Sequence, residues 1–330
     1  MTATSRSELR LELERSTLGL INMVAFETSS RRHFRAFEAA TGVALATSDI
    51  RFIECLSGRD PMPVSQVARG LGVDLSQASR QTRNLADAGY LLRRDDPADR
   101  RRTLVELSDD GVALLDRWLQ TWATDYQHAS DGWSEADGVD LDRWFTCVRD
   151  ALVHALPDRP VSAVAERWLT IHPSGELPAW RRSLTASVVG LVSWVGQSDG
   201  FDELLESHHA PIRQQAFFTL RLVSRKGPLS VAEVAEALGI DHSQASKRLT
   251  QLTDLGLVDR AVDAFDRRSS LVRVSKRGAA LEGRIRDTQL NDFHSILPAV
   301  SAADRDRWTE LTQRYVAQLF GAADARPSFE

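Results

Sequence analysis

Residues 64–89 read VSQVARGLGVDLSQASRQTRNLADAG, and residues 231–256 read VAEVAEALGIDHSQASKRLTQLTDLG. In the first stretch, Val64–Leu71 has the apolar spacing of a short helix, which Gly72 closes. Asp74 then stands where an N-cap belongs, with Gln77 three residues on, the spacing of a capping box; Asp241 and Gln244 repeat it. The second helix runs to about Asp87, and Gly89 supplies a residue able to take the left-handed conformation at its C-terminal end. Its inward positions are Ala78, Thr82 and Leu85, matched by Ala245, Leu249 and Leu252. A short helix, a tight turn and a capped second helix make a helix-turn-helix.

Outward from this stretch the likeness continues. A shift of 167 residues aligns Pro61–Gly111 with Pro228–Gly278 without a gap, and 23 of the 51 pairs are identical. Unrelated segments of ordinary composition would share roughly three or four. A period of this length means a duplicated domain rather than a solenoid. After each capped helix come two short strands. Tyr90–Arg94 and Thr103–Leu107 flank the charged turn Asp95–Arg102, and Leu257–Arg260 and Ser270–Val274 flank its counterpart. A hairpin in that place makes the unit a winged helix-turn-helix. Long helical patterns precede both blocks, about 7–40 with Leu9, Leu13, Leu18, Ile21, Val24 and Phe34, and about 178–207 with Leu184, Val188, Leu191, Val195, Leu204 and Leu205. Further helices are expected over about 109–128, 141–156, 276–296 and 302–320, with Ser134 and Ser301 as N-caps. The prolines of 157–160 and 173–178 break the chain between copies, with a short helix over about 162–169 between them. The expected organisation is a first domain at 1–157, a linker at 158–177 and a second domain at 178–330.

These residues resemble the MarR family of bacterial transcription regulators. The likeness rests on Ser76-Gln-Ala-Ser-Arg80, the helix end Leu85–Gly89, the wing run Asp96-Pro-Ala-Asp-Arg-Arg101 and the flanking helices, and it covers nearly the whole chain twice. One departure stands out: the family's wing usually has Arg before the second Asp, where this chain has Ala98 and Phe265. The implied fold is mainly α, with tandem winged helix-turn-helix domains and flanking dimerisation-type helices forming an intramolecular pseudo-twofold dimer. Family members generally act as homodimers, so a fused pair would let one chain suffice per operator, an imperfect inverted repeat in double-stranded DNA. The resemblance also implies a repressor more often than an activator, released by a small aromatic or apolar effector.

The charge distribution fits that role. The chain is acidic overall, with a formal charge of −5, which excludes a uniformly basic coat for nucleic acid. Yet 76–102 holds seven arginines against four aspartates, and 243–277 holds eight Lys and Arg against four aspartates. The N-terminal half of a recognition helix meets base edges in the major groove. That nominates Ser76, Gln77, Ser79, Arg80 and Arg83, and His242, Ser243, Gln244, Ser246 and Lys247. Gln suits adenine and Arg suits guanine through paired hydrogen bonds; serines and the capped helix end suit phosphate. Arg100, Arg101, Arg267 and Arg268 stand at the wing tips, where they can reach phosphate or a minor groove, and Asp99 and Asp266 would orient them. The reading helices diverge at Leu75/His242, Gln81/Arg248, Thr82/Leu249 and Arg83/Thr250.

Other classes find little support. Two cysteines, Cys55 and Cys147, make no disulfide framework or zinc site and suit a reducing cytoplasm. The eight histidines show no close metal-ligand spacing. Most tryptophans, Trp118, Trp122, Trp144, Trp168, Trp180, Trp194 and Trp308, fall on scaffold helices as core, where some could line an effector pocket. No phosphate loop or nucleophile motif marks an enzyme and no cofactor is implied. The first ten residues show no secretory pattern, and Val188–Val195 is too short to span a membrane. Two alternatives stay open: a thiol-redox-responsive regulator, and a protein-interaction module that has lost DNA binding.

Overall fold

The structure is a computed structural model that describes residues 11–27, 31–71, 73–99, 102–155, 161–172, 175, 177–195, 205–238, 240–262 and 270–320. The turn glycines Gly72 and Gly239 and the proline break at 157–160 lie outside the described residues, as do the side chains of Phe34, Trp122 and Trp194. The chain divides into two compact units: one within 1–22, 37–199 and 294–329, the other within 23–36 and 200–293.

The first unit opens with the part of α1 (Glu12–Glu27) up to residue 22, the part of α2 (Arg31–Thr41) from residue 37, and α3 (Thr47–Cys55); the rest of α1 and α2 is grouped with the second unit. A winged helix-turn-helix follows: β1 (Met62–Pro63), α4 (Val64–Leu71), α5 (Leu75–Asp87), β2 (Leu91–Asp95) and β3 (Thr103–Leu107). Helices α6 (Asp109–His128), α7 (Glu135–Ala155), α8 (Val161–Ile171) and α9 (Ala179–Val195) complete the continuous part. The second unit repeats the motif with α10 (Gln214–Lys226), β4 (Leu229–Ser230), α11 (Val231–Leu238), α12 (His242–Asp254), β5 (Val258–Val262), β6 (Ser270–Val274) and most of α13 (Lys276–Ile296). The last helix, α14 (Ala302–Phe320), returns to the first unit.

The two antiparallel sheets have the same order, β1-β3-β2 and β4-β6-β5. Their registers agree across the repeat: Met62 faces Val105 as Leu229 faces Val272, and Leu91 faces Leu107 as Val258 faces Val274. Each winged core buries the expected helix face. Ala78, Thr82 and Leu85 are buried, as are Phe52, Val67 and Val105; Ala245, Leu249 and Leu252 share one core cluster with Phe217, Val234 and Val272. In the second unit Arg221 is also buried, 3.9 Å from Glu282. Desolvation first, then the nearby Arg225, pulls its guanidinium down to about 10.

Sequence and structure differ at α7. Its apolar pattern begins only at Leu141, but the helix starts at Glu135, directly after Ser134, whose hydroxyl accepts from the Asp137 amide at 3.1 Å. The cap, not the first apolar residue, sets the helix start. Ser301 caps α14 in the same way, from the Asp304 amide at 3.1 Å.

The scaffold of the first unit is held by polar groups at buried positions. Trp144 donates its indole N–H to Thr17 at 2.8 Å and stacks on Trp308 with ring centroids 5.4 Å apart. The Tyr315 hydroxyl donates to the Tyr126 carbonyl at 2.8 Å, and full burial drives its pKa upward. Trp133, which no sequence pattern singles out, is buried, donates to Gln318 and lies under the Arg314 guanidinium at 4.4 Å from its ring centre.

A paired seam joins each reading helix to its wing. Gly89 and Gly256 end α5 and α12 with φ of +86° and +66°, a region costly for a residue with a Cβ. Ser108 donates to the Gly89 carbonyl at 2.5 Å and accepts from the Gly111 amide at 3.0 Å. Ser275 bridges Gly256 and Gly278 in the same way, at 2.7 and 3.0 Å. The helix starting there lies so close to the strand that a Cβ on Gly278 would stand 2.0 Å from the Leu257 carbonyl oxygen, and one on Gly111 2.1 Å from that of Tyr90. Gly278→Ala is therefore expected to destabilise the chain by about 1–2 kcal/mol, an overpacking cost partly offset by better helix propensity. A urea midpoint unchanged from wild type at equal slope would contradict this.

Candidate nucleic-acid interface

Both reading helices begin on a fixed turn. The Asp74 carboxylate accepts from the Gln77 amide at 2.7 Å, and Asp241 accepts from Gln244 at 2.7 Å. Each cap satisfies an amide that would otherwise be orphaned at the helix start. At about 100° per residue, burying Ala78, Thr82 and Leu85 turns Ser76, Ser79, Arg80 and Arg83 outward. All four are exposed, and Gln77 is half-buried at the edge of that face. On α12, His242, Ser243, Gln244 and Lys247 are exposed and Ser246 is half-buried. The residues nominated on the two helices thus form one open polar and cationic face per unit.

The structure sorts the divergence between the copies into two kinds. Gln81 and Arg248 turn inward, toward the helix that precedes the motif. Gln81 is buried and donates to Asp49 at 3.3 Å, while Arg248 donates to Gln215 at 2.8 Å. Thr82 and Leu249 are buried. These two pairs change how the reading helix is seated, not what it presents. Leu75/His242 and Arg83/Thr250 lie on the outer ridge formed by residues four and eight apart, with Ser79 or Ser246 between them.

The wings also differ. In the first, Asp96 organises the described part of the turn: its side chain accepts from the Ala98 amide at 2.9 Å, and its own amide donates to the Arg102 carbonyl at 3.0 Å. Arg102 adds an ion pair to Asp96 at 3.9 Å. Where Ala98 replaces the family's usual arginine, the turn is thus closed by Asp96. Arg94 pairs with Glu106 across the strands at 3.6 Å. In the second, Arg260 donates to Thr250 of the reading helix at 3.2 Å, and Arg273 pairs with Asp259 at 3.8 Å. The wing-tip residues Arg100, Arg101, Phe265, Asp266, Arg267 and Arg268 lie outside the described residues.

The residues that the sequence reading missed are Ser108, Ser275, Asp96 and Arg260. Ser108 and Ser275 are an identical pair in the repeat, which was the available signal. The pairing of Arg260 with Thr250 has no such trace.

Two segments match the MarR family, residues 47–103 and 212–269. Each covers one helix-turn-helix and the first wing strand, and stops at or before the second. The chain is 28% identical over 109 residues to the uncharacterized HTH-type transcriptional regulator YxaD of Bacillus subtilis (strain 168), covering 33% of this chain and 76% of that protein. Among solved structures, it resembles Streptococcus pneumoniae FabT in complex with DNA (16% identity, TM-score 0.28, 32% of this chain and 73% of that one). It also resembles a mutant MarR from E. coli complexed with operator DNA (23% identity, TM-score 0.27, 32% and 77%). No helix among the described residues is long and apolar enough to cross a membrane. The chain carries two MarR family domains in a single polypeptide.

Proposed function

We propose that the chain is a sequence-specific, duplex-DNA-binding transcription regulator, acting as a repressor that a small aromatic or apolar effector releases. The observation that carries this reading is the pair of N-capped helices, each presenting Ser, Gln, Ser and Arg or Lys outward from a winged-helix core. Ser76, Gln77, Ser79, Arg80 and Arg83 would read one half-site, and His242, Ser243, Gln244, Ser246 and Lys247 the other. Arg100, Arg101, Arg267 and Arg268 would hold the adjoining backbone. Selection of bound sequences from random duplex DNA tests the reading: an enriched imperfect inverted repeat is expected, and no enrichment refutes it.

One chain carries both readers, so a single chain is expected to occupy one operator. Sedimentation of the complex on the minimal selected duplex should give one chain per site; two chains would refute the fused-reader reading. Arg101→Ala and Arg268→Ala are each expected to weaken binding to all sequences alike and to reduce the salt slope by about one. Unchanged affinity across a salt series in both variants would remove the wing contacts from the proposal.

A thiol-redox switch is the weaker reading. Cys55 is buried, and burial, reinforced by Asp150, pushes the Cys147 thiol up. Both effects work against the thiolate that such chemistry requires.

A further inference from the structure

The reading helix of the first copy carries an apolar side chain on its polar outer face. Leu75, the first residue of α5, is 55% exposed, and among the described residues it is one of two large hydrophobics left open to that degree, the other being Leu92 on β2. The exposure is built in: the Asp74 cap fixes the turn on which Leu75 sits, and the buried row Ala78, Thr82 and Leu85 sets the rotation of the helix. Leu75 heads the ridge it shares with Ser79 and Arg83, both exposed. Nothing in the fold of a winged domain requires a leucine there, because the same place in the second copy is His242, also exposed, at the head of a ridge with Ser246 and Thr250.

The floor of a major groove presents hydrogen-bonding groups from every base, but only one apolar group, the C5 methyl of thymine. A leucine at the first turn of a helix in that groove gains affinity from that methyl and from no other base-edge group. A histidine there has ring nitrogens that can donate to or accept from purine edges and gains little from a methyl. We propose that Leu75 is a specificity-determining residue that reads a thymine methyl in the half-site of the first copy. His242 makes the second half-site indifferent to a methyl at the matching base pair. This inference rests on the DNA-binding reading above. It makes the two half-sites differ at a defined base pair through apolar contact, a feature that no count of charges supplies.

Replacing thymine by deoxyuridine removes that methyl and leaves base pairing intact, so it isolates the contact. The full chain would be measured on its selected duplex, with each thymine replaced in turn, as wild type and as Leu75→Ala and Leu75→His. One thymine in one half-site is expected to show an about three- to fivefold loss with wild type, the worth of one buried methyl. The same replacement should have a smaller effect with Leu75→Ala and little or none with Leu75→His. Both variants should still bind the duplex, since the residue is exposed and its loss leaves the core intact. Uridine losses that are the same size in wild type and variants, or absent at every thymine, would overturn the role of Leu75 while leaving the DNA-binding reading in place. Failure to select any duplex would overturn both.

Discussion

Replacing Glu14 by alanine is expected to destabilise the chain by about 3–5 kcal/mol, the scale of breaking a buried ion pair. Glu14 is 1% exposed on α1, although its neighbours in sequence give no sign of it. Both of its carboxylate oxygens accept from one Arg305 nitrogen, at 2.7 and 2.9 Å, and one also meets His294 Nδ1 at 2.8 Å. An ionised carboxylate only accepts, so Nδ1 is the donor. Alanine would take from the Arg305 guanidinium, itself mostly buried, the carboxylate that accepts from it. Stability of a whole domain is only about 5–15 kcal/mol, so the loss would be plain in a urea or thermal melt. Glu14→Gln, which keeps the shape, should cost less. Glu14→Leu combined with Arg305→Leu should cost less than Glu14→Ala, because removing both charges leaves neither stranded. A cycle in which the double variant is as unstable as the two single changes added together would show that the pair is not coupled.

Glu14 also shows where the sequence stops being legible. Local patterns place α4, α5 and the wing strands β2, β3, β5 and β6 to within a residue or two, because caps, left-handed glycines and apolar spacing act over a few residues; the two-residue strands β1 and β4 carry no such pattern. The repeat does more, since an identity such as Ser108 with Ser275 marks a position held in both copies. Polar residues on an amphipathic helix are read as solvent-facing, and on α1 that rule fails. Glu14 and Thr17 are buried because Arg305, His294 and Trp144 reach them from more than a hundred residues away. No periodicity on α1 encodes those partners. The same limit hid the seating of the reading helices. Gln81 and Arg248 belong to a run that reads as DNA-facing, yet each is tied to a residue more than thirty positions upstream. The candidate readers themselves were legible because their exposure follows from the three buried residues of the same helix.

That sorting sharpens what the two copies should recognise. The preferred operator is expected to be an imperfect inverted repeat whose halves differ, with a wrong base at a directly read position costing about 1–3 kcal/mol. Gln77 and Gln244 occupy equivalent places behind equivalent caps, so one feature should be common to both halves. Beside them Arg80 corresponds to Lys247, and both are exposed. A guanidinium can form two parallel hydrogen bonds with guanine, whereas an ammonium is a mobile point charge. On the outer ridge Arg83 is exposed, while its counterpart Thr250 accepts from Arg260, which draws that cation back onto its own domain. The first copy therefore offers the sharper test for guanine, and Arg80→Lys should relax that half alone. Affinities for the selected site and for two symmetrised sites, each built from one half, would decide the matter. The asymmetric site should bind more tightly than either symmetrised one, because each symmetrised duplex gives one of the two helices the wrong half. Equal affinity for all three would mean that the exposed differences at 75, 80 and 83 carry no sequence information, and that the copies diverged only in how their helices are seated.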